Sequence, residues 1–371
     1  MHPFRAVLLV FGSALLWGGL GPITMAQSPQ PNWQRWVQQA PVAPDFVVPR
    51  TRKAWEQQRP RIRAQLWELL GKLPPRPKVP RVKTLLREDR GDYLVEKFEF
   101  DNDAGATVPG YFILPKKAAG KVPAILYCHW HGGEYAIGKE EVFQSRHTPE
   151  APGPALARRG YAVLAIDAYC FGERSGKGPD GAGETGGAEE MTASKFNLWM
   201  GRSLWGMILR DDLMALDYLA SRPEVDPQRL GVTGISMGAT RSWWLMALDE
   251  RLRAGVAVGC LTRYQNLIAH QALPAHGIYY FVPGLLNHFD TEAIVSLLAP
   301  RAALFMTGDE DSGSPADGVQ IIGRVVEQAY RLYGRDDQFS NLSYPGVGHV
   351  YLPEMWSNMN SWMDVHLSGM R

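Results

Sequence analysis

Short runs that are apolar throughout recur along the chain: Val122–Tyr127, Tyr161–Ile166, Leu230–Ile235, Ala254–Val258 and Ala302–Thr307. Runs of this length without polar alternation predict strands buried on both faces. Helical patterns lie between them, around Pro154–Arg159, Leu204–Ala220, Thr240–Leu248 and Asp317–Leu332. Alternating strands and helices predict an α/β fold with a mainly parallel sheet and helices on both sides, whose ligands bind at the carboxyl ends of the strands.

Upstream the pattern changes. Tyr93, Val95, Phe98 and Phe100 alternate with polar neighbours, a turn follows at Asp101–Gly105, and a second run spans Thr107–Leu114. This predicts a hairpin, so the sheet starts antiparallel. Before it, Thr51–Leu73 carries Trp55, Ile62, Leu66 and Leu70 at helical spacing, with Pro74-Pro75 as the stop. Residues 1–26 read as a signal peptide, with Arg5 before an apolar run at Ala6–Leu20 and small residues near Ala26. The glycine-interrupted run is short for a bilayer span. The expected organisation is therefore a signal peptide (1–26), an N-terminal arm and helix (27–90) and a catalytic domain (91–371) with insertions near 172–203 and 261–298.

A chain of 371 residues, 45% hydrophobic and 21% charged, suits one large domain. Its net charge of +1 and lack of a basic run give no sign of a nucleic-acid partner. Cys128, Cys170 and Cys260 make an odd count and read as free, buried thiols, although an exported protein could close one bridge between two of them.

Candidate chemistry centres on Gly234-Ile235-Ser236-Met237-Gly238. This G-x-S-x-G stretch lies between a strand and a helix, the setting of a nucleophile elbow, where near-absent flanking side chains let the serine hydroxyl project from a sharp turn. Downstream, the loop after Ala302–Thr307 carries Asp309, Glu310 and Asp311, and Asp311 is the preferred acid because Gly308, Asp311 and Pro315 fit the turn pattern common in proteins with this elbow architecture. His349 follows a last strand in a glycine-rich loop. In the order Ser236, Asp311, His349, the histidine would take and return the serine proton while the aspartate fixes its tautomer. Two backbone donors would form an oxyanion hole, one at Met237 and one in the loop Cys128-His129-Trp130-His131-Gly132-Gly133-Glu134. The two histidines of that loop lack a third ligand at metal spacing, so neither metal nor cofactor is expected. Asp211 and Asp212 read as a solvated helix face or a structural ion pair.

From about Trp55 to Leu367 the chain resembles the α/β-hydrolase superfamily, and in detail its dienelactone-hydrolase-like and acetyl xylan esterase-like branch. The matching stretches are His129–Gly133, Asp167–Arg174, Asp212-Leu213 through Arg222–Asp226, the elbow, and the loops of Asp311 and His349. The resemblance implies a serine esterase with its triad on Ser236, Asp311 and His349. Two departures matter. Many relatives have His-Gly where this chain has His129-Trp130, which leaves the second oxyanion donor open between His131 and its glycine neighbours. Dienelactone hydrolases proper use a cysteine, so Ser236 points to ordinary carboxylic esters.

Both insertions start at carboxyl ends of strands and should shape specificity. Gly172–Ser203 reads as a lid or a disordered loop, with Phe196, Trp199 and Trp205 to bury. In Leu261–Leu298, Tyr279 and Tyr280 read as pocket wall or as packing onto the core. Trp130 and Gly132 are further candidates for substrate contact, Trp130 adding bulk that favours short acyl chains. Trp243, Trp244, Trp356 and Trp362 are expected in the core. The expected function is an exported, periplasmic or secreted serine carboxylesterase acting on a small-molecule or saccharide ester, with acetyl groups as candidate substrate and no stable membrane association after signal cleavage. Alternatives are a serine peptidase of the same fold and a non-catalytic binding protein on the scaffold. The oligomeric state is not legible.

Overall fold

The apolar runs form the centre of a nine-stranded sheet of order β1-β2-β3-β5-β4-β6-β7-β8-β9 in the computed structural model. The structure describes residues 39–40, 42–116 and 120–368. Residues 39–40 close a first unit that ends at Ala40, and everything below concerns the second, Pro41–Arg371. The proposed signal peptide and most of the arm lie outside the described residues.

The strands are β1 (Val82–Asp89), β2 (Tyr93–Asp101), β3 (Thr107–Pro115), β4 (Val122–Cys128), β5 (Ala162–Ile166), β6 (Val225–Ile235), β7 (Leu252–Val258), β8 (Ala302–Gly308) and β9 (Phe339–Tyr344). Pairing is antiparallel from β1 through β3 to β5 and parallel from β5 through β4 to β9. Every residue of β4, β5 and β8 is buried, as their unbroken apolar character predicts. The sequence reading names no strand at β1. Its VKTLLRED lies largely exposed at the sheet edge, without the alternation that would mark a strand.

Helices cover both faces: α1 (Arg52–Leu70), α2 (Pro152–Arg158), α3 (Gly186–Trp199), α4 (Leu204–Ser221), α5 (Met237–Leu248), α6 (Tyr264–Ala269), α7 (Thr291–Ser296), α8 (Ala316–Arg331) and α9 (Pro353–Met363). The period-two geometry of a strand splits β4 between two cores. Ala124, Leu126 and Cys128 pack with residues of α1, α4, α5 and α8, whereas Ile125 and Tyr127 pack with α2 and α9. Trp243, Trp244 and Trp356 are buried as expected, whereas Trp362 is only half-buried at the margin of the core.

Of the two readings of Asp211 and Asp212, the structural ion pair holds and the solvated face does not: both are buried, Asp212 against Arg241 (Nε–Oδ2 2.9 Å) and Asp211 against Arg174 (2.9 Å). The aromatic expectation for the first insertion needs correction. Of the three aromatics expected to bury the first insertion, only Trp205 does so; Phe196 is exposed and Trp199 is 92% exposed. The insertion is nonetheless ordered, since it contains α3.

Candidate active site

β6 runs straight into α5, and Ser236 alone makes the turn, with φ 59° and ψ −120°. A non-glycine residue in this region is strained and persists only where its surroundings enforce it. They do so here by close approach. A Cβ on Gly234 would lie 2.3 Å from the Cys128 carbonyl oxygen, and one on Gly238 would lie 2.0 Å from the same atom. The Ser236 N–H donates to Val258 O (2.9 Å), and Thr240 N–H donates to Ser236 O (3.1 Å), which starts the helix. Met237 is the first helical residue, so its N–H has no carbonyl one turn back within α5 and sits at the positive end of the helix dipole.

The carboxyl ends of β8 and β9 bring the acid and the histidine together. Gly308 approaches so closely that a Cβ would lie 2.1 Å from Val347 O. Glu310 N–H donates to Val347 O (2.9 Å), and Gly346 N–H donates to Asp309 Oδ1 (2.7 Å). Asp309 and Glu310 thus bind the two loops to each other. Asp311 is the acid that meets the imidazole: His349 Nδ1 donates to Asp311 Oδ2 at 2.6 Å, and Gly313 N–H donates to Oδ1 at 2.9 Å. Asp311 is 4% exposed, so both contacts are shielded from water. The Gly259-Cys260 turn after β7 joins this pair to the serine. A Cβ on Gly259 would sit 3.1 Å from His349 Cε1, and Cys260 Sγ lies 3.9 Å from Ser236 Oγ.

The loop after β4 supplies the remaining candidates. Trp130 N–H donates to Glu141 Oε2 (2.8 Å), and Gly133 N–H donates to His131 Nδ1 (3.1 Å). Among the described residues, the N–H groups of His131 and Gly132 make no hydrogen bond within the protein. This narrows the donors left open by the sequence to these two. Gly132 has φ +48°, and a Cβ there would strike the Trp130 ring at 2.3 Å. The indole folds back over it and stacks on His147, with centroids 3.4 Å apart.

His129 is a packed structural residue. Its Nδ1 donates to Trp130 O (2.7 Å) and its Nε2 accepts from Ala168 N–H (3.0 Å), while burial holds its pKa well below the ordinary value. With both nitrogens engaged, it has no lone pair to offer a metal. No group of three or more His, Cys, Asp or Glu among the described residues is placed to hold one. Cys128, Cys170 and Cys260 are free and buried, and burial pushes the Cys128 and Cys260 thiols up to about 12.

Tyr279 and Tyr280 are both buried. Tyr279 stacks on His131 (4.8 Å), and Tyr280 stacks on His276 (4.2 Å), whose Nε2 donates to Gly313 O (2.9 Å). They join residues 261–298 to the loop after β4 and to the loop of Asp311. Sequence reasoning missed Glu141 and Glu190, which hold the loop after β4. Glu141 accepts from Trp130 N–H and the Tyr127 hydroxyl, and Glu190 accepts from His131 Nε2 (2.8 Å). Nothing local marks them, because each is buried by tertiary contacts in a segment that reads as charged surface.

This sheet, antiparallel at its start and parallel beyond, with helices on both faces, is the α/β-hydrolase fold. The Abhydrolase family profile matches residues 36–347, and the chain belongs to that family. It is 39% identical over 277 residues to the candidate hydrolase YtaP of Bacillus subtilis, covering 74% of this chain and 89% of that protein. Among solved structures it is similar to a candidate acetyl xylan esterase of Bacteroides fragilis (TM-score 0.66, 19% identity, 87% of this chain and 84% of that one). It is equally similar to a glucuronoyl esterase from Solibacter usitatus (TM-score 0.66, 17% identity, 88% and 98%).

Proposed function

We propose that the protein is a serine carboxylesterase. The observation that carries this reading is the 2.6 Å contact between His349 Nδ1 and Asp311, beside a serine held on a strained elbow. With Nδ1–H bound to the carboxylate, Nε2 is left as the base. It takes the proton from Ser236 Oγ as that oxygen bonds to the ester carbonyl carbon, and it returns the proton to the departing alcohol. Water then repeats the sequence in reverse on the acyl-enzyme. The N–H of Met237 and that of His131 or Gly132 would receive the oxyanion.

Small acyl groups, acetyl foremost, on a saccharide alcohol are the proposed substrates. The fold shared with esterases named for acetyl xylan and glucuronoyl esters supports this choice. We also assign the protein to an exported compartment, on the leader-like residues 1–26. Among the described residues, no helix is long and apolar enough to cross a membrane. A hydrolysis screen over acyl lengths, acetylated polysaccharides and peptide amides tests the reading. Acetate esters should be cleaved faster than octanoate, at a rate unchanged by chelator. Preference for octanoate would reject the small acyl site, and cleavage of amides alone would replace the esterase with a peptidase.

A further inference from the structure

A side chain of the first insertion reaches the oxyanion loop. Glu190, on α3, is buried, and its Oε2 accepts from His131 Nε2 (2.8 Å) and from the Tyr135 hydroxyl (3.2 Å). Among the described residues, no lysine or arginine pairs with it. The second insertion closes over the other oxygen, since a Cβ on Gly277 would lie 2.6 Å from Oε1.

A buried carboxylate is costly to keep unless hydrogen bonds offset its lost hydration, and packing alone would be served by an apolar side chain. What the carboxylate adds here is a fixed tautomer. With Nε2–H directed at Glu190, the His131 Nδ1 lone pair accepts the Gly133 N–H, and Tyr279 holds the ring by stacking. The loop 131–133 is thereby pinned at both ends of one imidazole, and it contains the two free N–H groups.

We propose that Glu190 is a positioning residue: through His131 it aligns the N–H groups of the oxyanion loop, so that the insertion completes the site. This rests on the esterase reading. The test is steady-state kinetics on a short acetate ester with wild type, Glu190→Ala, Glu190→Met, Glu190→Gln, His131→Ala and the Glu190→Ala/His131→Ala double variant. Removing one oxyanion donor costs about 100- to 1,000-fold in kcat, so misaligning one should cost about 10- to 100-fold, with KM within about threefold. Glu190→Met fills the same volume without an acceptor and gives the comparison if Glu190→Ala does not fold. Glu190→Gln keeps an acceptor oxygen for His131 and should stay within about fivefold of wild type. The double variant should lose no more than His131→Ala alone. Full kcat in Glu190→Met, a loss confined to KM, additive losses in the double variant, or Glu190→Gln as slow as Glu190→Met would each overturn the inference. Absence of Ser236-dependent turnover in the wild type would overturn the esterase reading with it.

Discussion

Glu141 offers a sharp test of how the loop after β4 is anchored. It is 1% exposed, and burial pushes its carboxyl from 4.5 up to about 7, against the opposing effect of hydrogen bonds from Tyr127 and Trp130. A carboxyl whose folded pKa is raised binds its proton more tightly when folded. Its contribution to stability is complete below about pH 4.5 and is lost as pH rises through about 7. At about 1.4 kcal/mol per pH unit, that interval corresponds to about 3 kcal/mol, to order of magnitude. Glu141→Gln is neutral at every pH; its carbonyl can accept the Trp130 N–H, and its amide can donate to the Tyr127 oxygen. Urea denaturation of both proteins at pH 5, 7 and 9 should show little difference at pH 5 and an advantage of about 1–3 kcal/mol for Glu141→Gln at pH 9. A pH-independent difference, or a variant less stable at pH 9, would refute the argument that burial dominates this carboxyl.

Asp311→Asn should lower kcat by about 1,000- to 10,000-fold, because an amide cannot hold the same His349 tautomer. Asp309→Asn retains an acceptor for Gly346 N–H and should stay within a few-fold; the reverse ranking in ester hydrolysis would move the acid to Asp309. Gly238→Ala should destabilise the protein by about 1–3 kcal/mol or more in a thermal melt, since its Cβ meets backbone at 2.0 Å. Gly183→Ala, with no atom within 4 Å of its Cβ, is the control and should melt with the wild type.

What the sequence revealed was set by local periodicity. β4 and β8 are apolar because both faces are buried, and the elbow glycines are demanded by the close approach of the turn to the carboxyl end of β4. That made the parallel core readable, and with it the placement of Ser236, Asp311 and His349 beyond the carboxyl ends of β6, β8 and β9. β1 was not, because an edge strand with an exposed face needs no apolar alternation. The Asp212–Arg241 and His131–Glu190 contacts were hidden for another reason. Each joins residues far apart in sequence, and a buried charge looks like a solvated one until its partner is placed. Trp199 marks the opposite error: a large aromatic on an insertion suggested burial, yet it faces outward.

Whether Ser236 is a base-activated nucleophile is decided by reaction of the purified protein with a fluorophosphonate, followed by mass spectrometry of the peptides. Only a serine beside a base and an oxyanion hole reacts readily with such a probe. One adduct is expected, on Ser236, abolished by Ser236→Ala and strongly slowed by His349→Ala. Labelling at full level in Ser236→Ala, or an adduct on another residue, would contradict that role for Ser236.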